Sequence, residues 1–398
     1  MKAVARKIRR LAYISKVSQF SKADQIIRVL TGLRRCGKST ILSQYADEAQ
    51  VPYTLIDMED LSFDEIQNYS DLNCYVLKNC SEDDLLLIDE VQEIDQWEKA
   101  IASLNKRHKI VITGSNARLL SGELATKLTG RYVEISVFPL TYSEYLEFRS
   151  TSSNKELFFE YLKYGGLPGI HHLEFSEEVI HQYLSAILSS ILLKDVVARY
   201  SVRNADLLER LLKFLYANVG NLTTAKSISD YLKNQKIKAS VDTIQSYLSY
   251  LSDAFLVHKV SRYDIKGKKH LEISEKYYAG DLGLIFSMLS FSPDRLPGLL
   301  ENCVYLELVA RGFKVSVGKV DEYEVDFIAE KGDTRAYYQV CYLLNSDAVI
   351  EREFGSLERV KNHYPKYVLS MDDMGNFNRG GIIHKNIIDF LKPQVPGS

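Results

Sequence analysis

Along the first third of the chain, short strand-like runs recur at regular intervals, Ile26–Thr31, Tyr53–Met58, Leu85–Ile88, Lys109–Thr113 and Tyr132–Val137, of which Leu85–Ile88 is apolar throughout. A run that is apolar throughout, rather than alternating, fits a strand covered on both faces, as in a parallel sheet with helices above and below. Helical segments lie between the runs, at Ile41–Glu48 and Ser121–Leu128. The pattern predicts an α/β core over residues 1–140. Residues 1–25 read as a basic helix with a partial apolar stripe, Ile8, Leu11 and Ile14, and a solvated charged face.

Beyond residue 140 the period becomes helical. Tyr142–Phe148, Lys155–Tyr164 and Glu177–Arg199 read as helices interrupted by the turn cluster Gly165-Gly166-Leu167-Pro168, and make a small helical lid over 141–203. Residues 204–292 read as helix, turn, helix and hairpin. The segments are Leu207–Ala217, Lys226–Lys233, Val241–Leu251 with Ser240 as N-cap, then strand-like Phe255–Tyr263 and His270–Tyr278. That is a winged-helix plan. Pro293–Pro297 reads as a linker, and 293–398 as a further α/β domain, with helix Gly298–Arg311 before strands Lys314–Gly318, Glu324–Ala329, Ala336–Cys341 and Lys366–Ser370. Several segments suit a chain of 398 residues, longer than one hydrophobic core usually supports.

Composition narrows the class. Hydrophobic residues make up 46% and charged residues 26%, with a net charge of −2, as in ordinary globular proteins and unlike disordered chains. No apolar run is long enough for a membrane span and the basic N-terminus has no apolar signal core, so a cytoplasmic location is expected. Five scattered cysteines without a C-x-x-C pair argue against a disulfide framework or a zinc site. Charge is uneven locally: Arg6, Lys7, Arg9 and Arg10 open the chain, while Glu82, Asp83 and Asp84 cluster later.

Candidate chemistry lies at the ends of the first, third and fourth runs. Gly32-Leu33-Arg34-Arg35-Cys36-Gly37-Lys38-Ser39-Thr40 joins an expected strand to an expected helix and matches the phosphate-loop pattern G-x-x-x-x-G-K-[ST]. Its glycines let backbone N–H groups curl around phosphates, Lys38 reaches the β- and γ-phosphates, and the Ser39 hydroxyl can ligate Mg²⁺. Cys36 inside the loop reads as a bystander. The third run ends in Asp89-Glu90, where Asp89 would hold Mg²⁺ through its water shell and Glu90 would orient or deprotonate the attacking water. The fourth ends in Gly114-Ser115-Asn116, and either Ser115 or Asn116 is expected to sense the γ-phosphate. ATP and Mg²⁺ are the expected ligands.

Glycine loop, Asp-Glu strand, polar strand and an arginine before the fifth strand follow one another in the order of the AAA+ ATPases. GLRRCGKST, LLLIDEVQEIDQWE, VITGSNARLL and LTGRYVEISVFPLTYSEY resemble a bacterial and archaeal AAA-type family that carries a C-terminal domain of unknown function. The resemblance implies a P-loop AAA+ core with the helices of 141–203 closing on adenine. It also implies that Arg131 is an arginine finger reaching the ATP of a neighbouring subunit, with Arg118 as the alternative, and hence self-association. No residue matches a second sensor arginine securely; Arg199 is the nearest.

The rest of the chain points to DNA. Lys236, Lys238, Lys266, Lys268 and Lys269 would meet phosphates, whereas Thr243, Gln245, Ser246 and Ser249 include no arginine to read bases, so binding would be blind to sequence. Glu301, then Glu324-Val325-Asp326, then Gln339-Val340-Cys341 follow the order of a PD-(D/E)XK nuclease-like fold, shared with Holliday-junction resolvases. Active members carry Glu-x-Lys in the third place. Gln339 is a poor metal ligand and Cys341 brings no positive charge, so no cleavage is expected. Three functions follow: an oligomeric, ATP-driven DNA motor or remodeller acting on branched DNA, an ATP-dependent switch on a protein partner, or an ATP-dependent nuclease, against which the two substitutions count.

Overall fold

A computed structural model of the chain describes residues 8–21, 25–82, 84–120, 130–375 and 377–392. The helix expected over 121–128, together with Arg6, Lys7 and Asp83, lies outside the described residues. Two compact units emerge, Met1–Phe138 with Asp253–Phe255, and Pro139–Ser252 with Leu256–Ser398.

In the first unit β1 (Ile27–Thr31), β2 (Tyr53–Asp57), β3 (Leu85–Asp89), β4 (Lys109–Gly114) and β5 (Tyr132–Ser136) form one all-parallel sheet in the order β2-β3-β4-β1-β5. Every residue of β1 and β3 is buried, in β3 as its apolar run requires and in β1 with Arg28 among them, its guanidinium donating to Tyr45 Oη (2.6 Å). One core cluster joins Ile27, Val29, Leu86, Ile88, Ile110 and Ile112 to Trp97, Ile101 and Leu104 of the helix Trp97–Leu104. Each such side chain contributes roughly 1.5–3 kcal/mol by leaving water. The register sets Asp57 beside Asp89 and Thr31 beside Gly114, so the carboxyl ends of four strands line one edge.

The N-terminal segment departs from expectation. Its helix, Leu11–Gln19, buries Tyr13, Ile14 and Val17 but leaves Leu11 exposed. Arg10, expected on a solvated face, is buried. Its guanidinium donates to Cys36 O (3.2 Å) and Phe138 O (2.9 Å), while Gln44 Nε2 donates to Ile8 O (2.9 Å). A buried guanidinium needs acceptors, and the curled glycine loop offers carbonyls.

The helices expected as a lid, observed at Tyr142–Arg149, Lys155–Tyr164 and Glu177–Ser190, belong to the second unit. Their turn cluster is tied by Asp281, whose carboxylate accepts from Gly166 N (2.7 Å) and Gly283 N (2.8 Å). Helices Ala205–Ala217, Ala225–Asn234 and Val241–Asp253 follow. The hairpin after them differs from a free wing. β7 (Val257–Asp264) pairs antiparallel with β8 (Lys269–Ala279), and also in parallel with β9 (Lys314–Val320) through Arg262–Asp264. With β6 (Leu222–Thr223), β10 (Tyr323–Lys331), β11 (Thr334–Val340), β12 (Lys366–Ser370), β13 (Asn378–Arg379) and β14 (Ile382–Asn386) these make a nine-stranded sheet, β13-β14-β12-β11-β10-β9-β7-β8-β6. Pairing gives the outer backbone groups of the hairpin partners that an open edge would lack. Residues on both sides of position 292 therefore contribute to one sheet. Among the described residues no helix is long and apolar enough to cross a membrane.

His171 packs against the rings of Tyr145 (centroids 4.8 Å apart) and Phe148 (5.2 Å), and neither of its ring nitrogens has a hydrogen-bond partner. Burial, aided by nearby Arg149, pushes its pKa down to about 4. The unfolded chain accepts this proton near pH 6.5, so stability present above that pH is lost as pH falls toward 4. His171→Phe should flatten the fall in melting temperature across this window, as measured by differential scanning fluorimetry.

Candidate active site

The glycine loop leaves β1 and enters the helix Lys38–Ala49 with Gly32 at φ 153° and Gly37 at φ 101°. A Cβ on Gly32 would lie 2.1 Å from Val137 O, so the loop backbone is seated directly against the chain after β5. Cys36 is buried and its Sγ donates to Val137 O (3.4 Å); burial raises the thiol pKa, which keeps it protonated and unreactive. Leu33 and Arg34 are buried, Arg34 pairing with Glu59 (2.6 Å), whereas Arg35, Ser39 and Thr40 are exposed.

Lys38 is 3% exposed. Its ammonium donates to Gly32 O (3.1 Å) and Leu33 O (3.3 Å) and lies 3.4 Å from Glu90 Oε1. Two carbonyls and a carboxylate compensate the buried charge, and a phosphate in the loop would be a stronger, charged acceptor than either carbonyl.

Asp89 and Glu90 are adjacent in sequence but differ in surroundings. Asp89 accepts from the Thr113 hydroxyl; burial pushes its pKa up, and the neighbouring Ser39 and Thr113 hydroxyls pull against that. Glu90 sits at φ 52°, its N–H donating to Thr113 Oγ1 (3.0 Å). Its Oε2 accepts from Ser115 Oγ (3.0 Å) and from Gln92 Nε2. Burial would raise the Glu90 carboxyl, but the Lys38 charge, the Gln92 hydrogen bond, Arg34 and Ser115 outweigh it and hold it below the usual range. An ionised carboxylate held in this way can orient a water and take its proton. Asn116 Oδ1 instead accepts from Arg118 N (2.7 Å), capping the turn Ala117–Leu120. Of the two polar candidates, the structure brings Ser115 to Glu90 and Asn116 to that turn.

The Ser39 hydroxyl and the neighbouring Asp89 carboxylate are the hard oxygen donors that Mg²⁺ prefers, and an ion that keeps most of its waters needs only one or two such protein oxygens. Ser39 and Asp89 would hold it. Thr113 and Gln92 were not singled out from the sequence. Thr113 is identifiable only once β4 is known to lie beside β3.

A profile for an AAA domain matches residues 24–146, and one for a domain of unknown function matches 155–295. An uncharacterized protein of Haemophilus influenzae is 36% identical over 399 residues, covering 96% of this chain and 98% of its own. The chain belongs to this AAA-domain family. An uncharacterized protein of Methanocaldococcus jannaschii is 34% identical over 356 residues, covering 84% of this chain and 78% of its own. The Walker-type ATPase of Pyrococcus abyssi shares the fold, with a TM-score of 0.52 at 15% identity over 70% of this chain and 95% of that one.

In the AAA domain the Arg131 carbonyl accepts from Ile27 N (2.9 Å) while its side chain is exposed; Arg118, the alternative finger, pairs with Asp253 (2.7 Å). The lysines read as DNA contacts lie at two places in the second unit, Lys236 and Lys238 between two helices, and Lys266, Lys268 and Lys269 at the β7–β8 turn and the start of β8. Lys236, Lys238, Lys268 and Lys269 are exposed. Lys266 is exposed too, and its ammonium pairs with both carboxylate oxygens of Asp321 (2.6 and 2.7 Å). Asp264 also lies in this turn, accepting from Lys266 N (3.1 Å) and Gly267 N (2.9 Å), so the tip is of mixed charge.

Glu301, Glu324 and Asp326 do come together, and among them stands a residue absent from the sequence reading, Lys276 of β8. Burial and the Asp326 charge push the Glu301 pKa up, and the Lys276 ammonium pulls against them. Gln339 Oε1 accepts from Asp326 N (3.3 Å) and Ser356 Oγ (3.3 Å), and Cys341 is buried with its thiol pKa raised by burial.

Gly32→Ala should weaken binding of a fluorescent ATP analogue by at least about tenfold, because any Cβ there displaces the loop from the Val137 carbonyl; about 1.4 kcal/mol of disturbance suffices. Gly355→Ala, where an added Cβ meets only Glu351 Oε1 at 3.7 Å in a helical stretch, is the control.

Proposed function

We propose that this chain hydrolyses Mg²⁺-ATP, with Lys38 on the β- and γ-phosphates, Ser39 and Asp89 at the metal, and Glu90 as the group that orients and deprotonates water. The observation that carries the reading is the 3.4 Å approach of Lys38 to an ionised Glu90, itself held by Ser115 and Gln92. When γ-phosphate draws the Lys38 ammonium, Glu90 loses its counter-charge and gains proton affinity where the water stands. Ser115, bonded to Glu90, links this change to the end of β4 and is the better placed of the two sensor candidates.

Arg131, exposed at the entry to β5, is proposed to complete the site of a neighbouring subunit, so that turnover requires self-association. The load is proposed to be DNA, including branched DNA of the Holliday-junction type, met by Lys236, Lys238, Lys268 and Lys269 through phosphates. The winged-helix and nuclease-like readings of the second unit belong to this proposal, with the nuclease-like module non-cleaving. The mixed charge at the β7–β8 turn favours the other reading, a switch acting on a protein partner.

Glu90→Gln should keep ATP binding and lower turnover by about 10²–10⁴-fold, while Lys38→Ala should lose both, as read by analogue binding and phosphate release. Arg131→Ala should lower turnover by about 10³-fold and recover part of it when mixed with Glu90→Gln, because each variant supplies what the other lacks. Gel shifts with duplex, single-stranded and four-way DNA at graded salt test the load. Affinity should fall steeply with salt, and charge-removing substitutions at those four lysines should make that slope shallower. Absence of salt-dependent binding to any of the three would transfer the proposal to a protein partner.

A further inference from the structure

The acidic pocket of the nine-stranded sheet already contains a cation. Lys276 is 3% exposed along its side chain, and its ammonium lies 2.7 Å from Glu301 Oε1, 2.7 Å from Glu324 Oε1 and 3.2 Å from Asp326 Oδ1. An ammonium has three N–H donors, and here it meets one oxygen from each of three carboxylates. The remaining surroundings are committed too. Tyr278 donates to Glu301 Oε1 (2.6 Å), Val340 N donates to Asp326 Oδ2 (2.9 Å), and a Cβ on Gly220 would come within 2.7 Å of Glu301 Oε2.

A divalent ion of the kind the nuclease-like resemblance implies does not fit. Mg²⁺ needs oxygen ligands at about 2.0–2.1 Å in a near-octahedral set, and the point where the three carboxylates converge is taken. Gln339 has its amide oxygen engaged, and Cys341 stays a thiol.

Strand order gives Lys276 a second task. β8 and β10 are not neighbours; β7 and β9 separate them. β7 pairs with β9 through Arg262–Asp264, whereas Lys276 stands opposite Val260, beyond that pairing. At this level the backbone ladder from the hairpin to the rest of the sheet has ended, and the lysine spans to the carboxylates of β10 and of the helix Leu296–Ala310, which carries Glu301.

We infer that the Lys276 ammonium is the resident cation of this pocket, occupying the place of a divalent metal and clamping the β7–β8 hairpin to β10 and to the Glu301 helix. The inference stands independently of ATP hydrolysis.

Mn²⁺ titration of the full chain without nucleotide, read by electron paramagnetic resonance, tests it. Wild type and Asp326→Asn should bind the same amount of Mn²⁺, since any ion taken up near the phosphate loop is common to both. Wild-type Mn²⁺ that disappears in Asp326→Asn, or Mn²⁺-dependent cutting of DNA that this substitution abolishes, overturns the inference. Lys276→Met removes the cation and leaves the acids. It should gain one Mn²⁺ site that Lys276→Met/Asp326→Asn lacks, and Mn²⁺ should raise its melting temperature by several degrees more than it raises that of wild type. A folded Lys276→Met with no added Mn²⁺ site also overturns it. Should Lys276→Met fail to fold with or without Mn²⁺, the wild-type and Asp326→Asn pair decides alone.

Discussion

Burial of the central strands on both faces is the constraint on which the first unit depends. β1 and β3 have no exposed residue, so polar side chains survive only with partners, as Arg28 does inside β1 through Tyr45 and as the groups at the strand ends do through one another. Lys38, Asp89, Glu90, Thr113 and Ser115 are all buried there, and each is satisfied by another member of the group or by the loop's own carbonyls. The arrangement that makes the edge tolerable to the fold is also what gives Glu90 its charge and Asp89 its hydroxyl neighbours. Fold and chemistry are therefore not separable at these positions.

The second unit meets the same problem with a different solution. Three carboxylates gather beside a sheet around one ammonium, and removing the lysine would leave them without a counter-charge. A buried pair broken on one side typically costs about 3–5 kcal/mol. Here compensation comes from a lysine far away in sequence, on a strand that is not the acids' neighbour.

This difference sets what was legible beforehand. The five parallel strands could be read because their strand-like runs are local, and Lys366–Ser370 in the second unit is observed with the bounds its pattern predicts. The loop glycines and Asp89-Glu90 were legible because the spacing of a phosphate-binding turn is itself local. Arg10, Thr113 and Lys276 were not, since each acquires its partner through packing or strand order. A basic N-terminal run gives no sign that one of its arginines will turn inward to Cys36 O and Phe138 O. The β7–β9 pairing was hidden for the same reason: a hairpin with charged residues at its turn looks alike whether its outer strand is free or joined to a sheet.

Glu90 at φ 52° carries one further implication. A left-handed backbone costs a residue with a Cβ roughly 1–2 kcal/mol, and glycine escapes most of that cost. On the role proposed for Glu90, retaining a carboxylate there trades conformational ease for reactivity, a compromise met where strain is kept at working positions. Laboratory selection for heat resistance alone would favour replacements that relax this turn, whereas selection for turnover would hold the carboxylate in place. The two pressures diverge at a single codon.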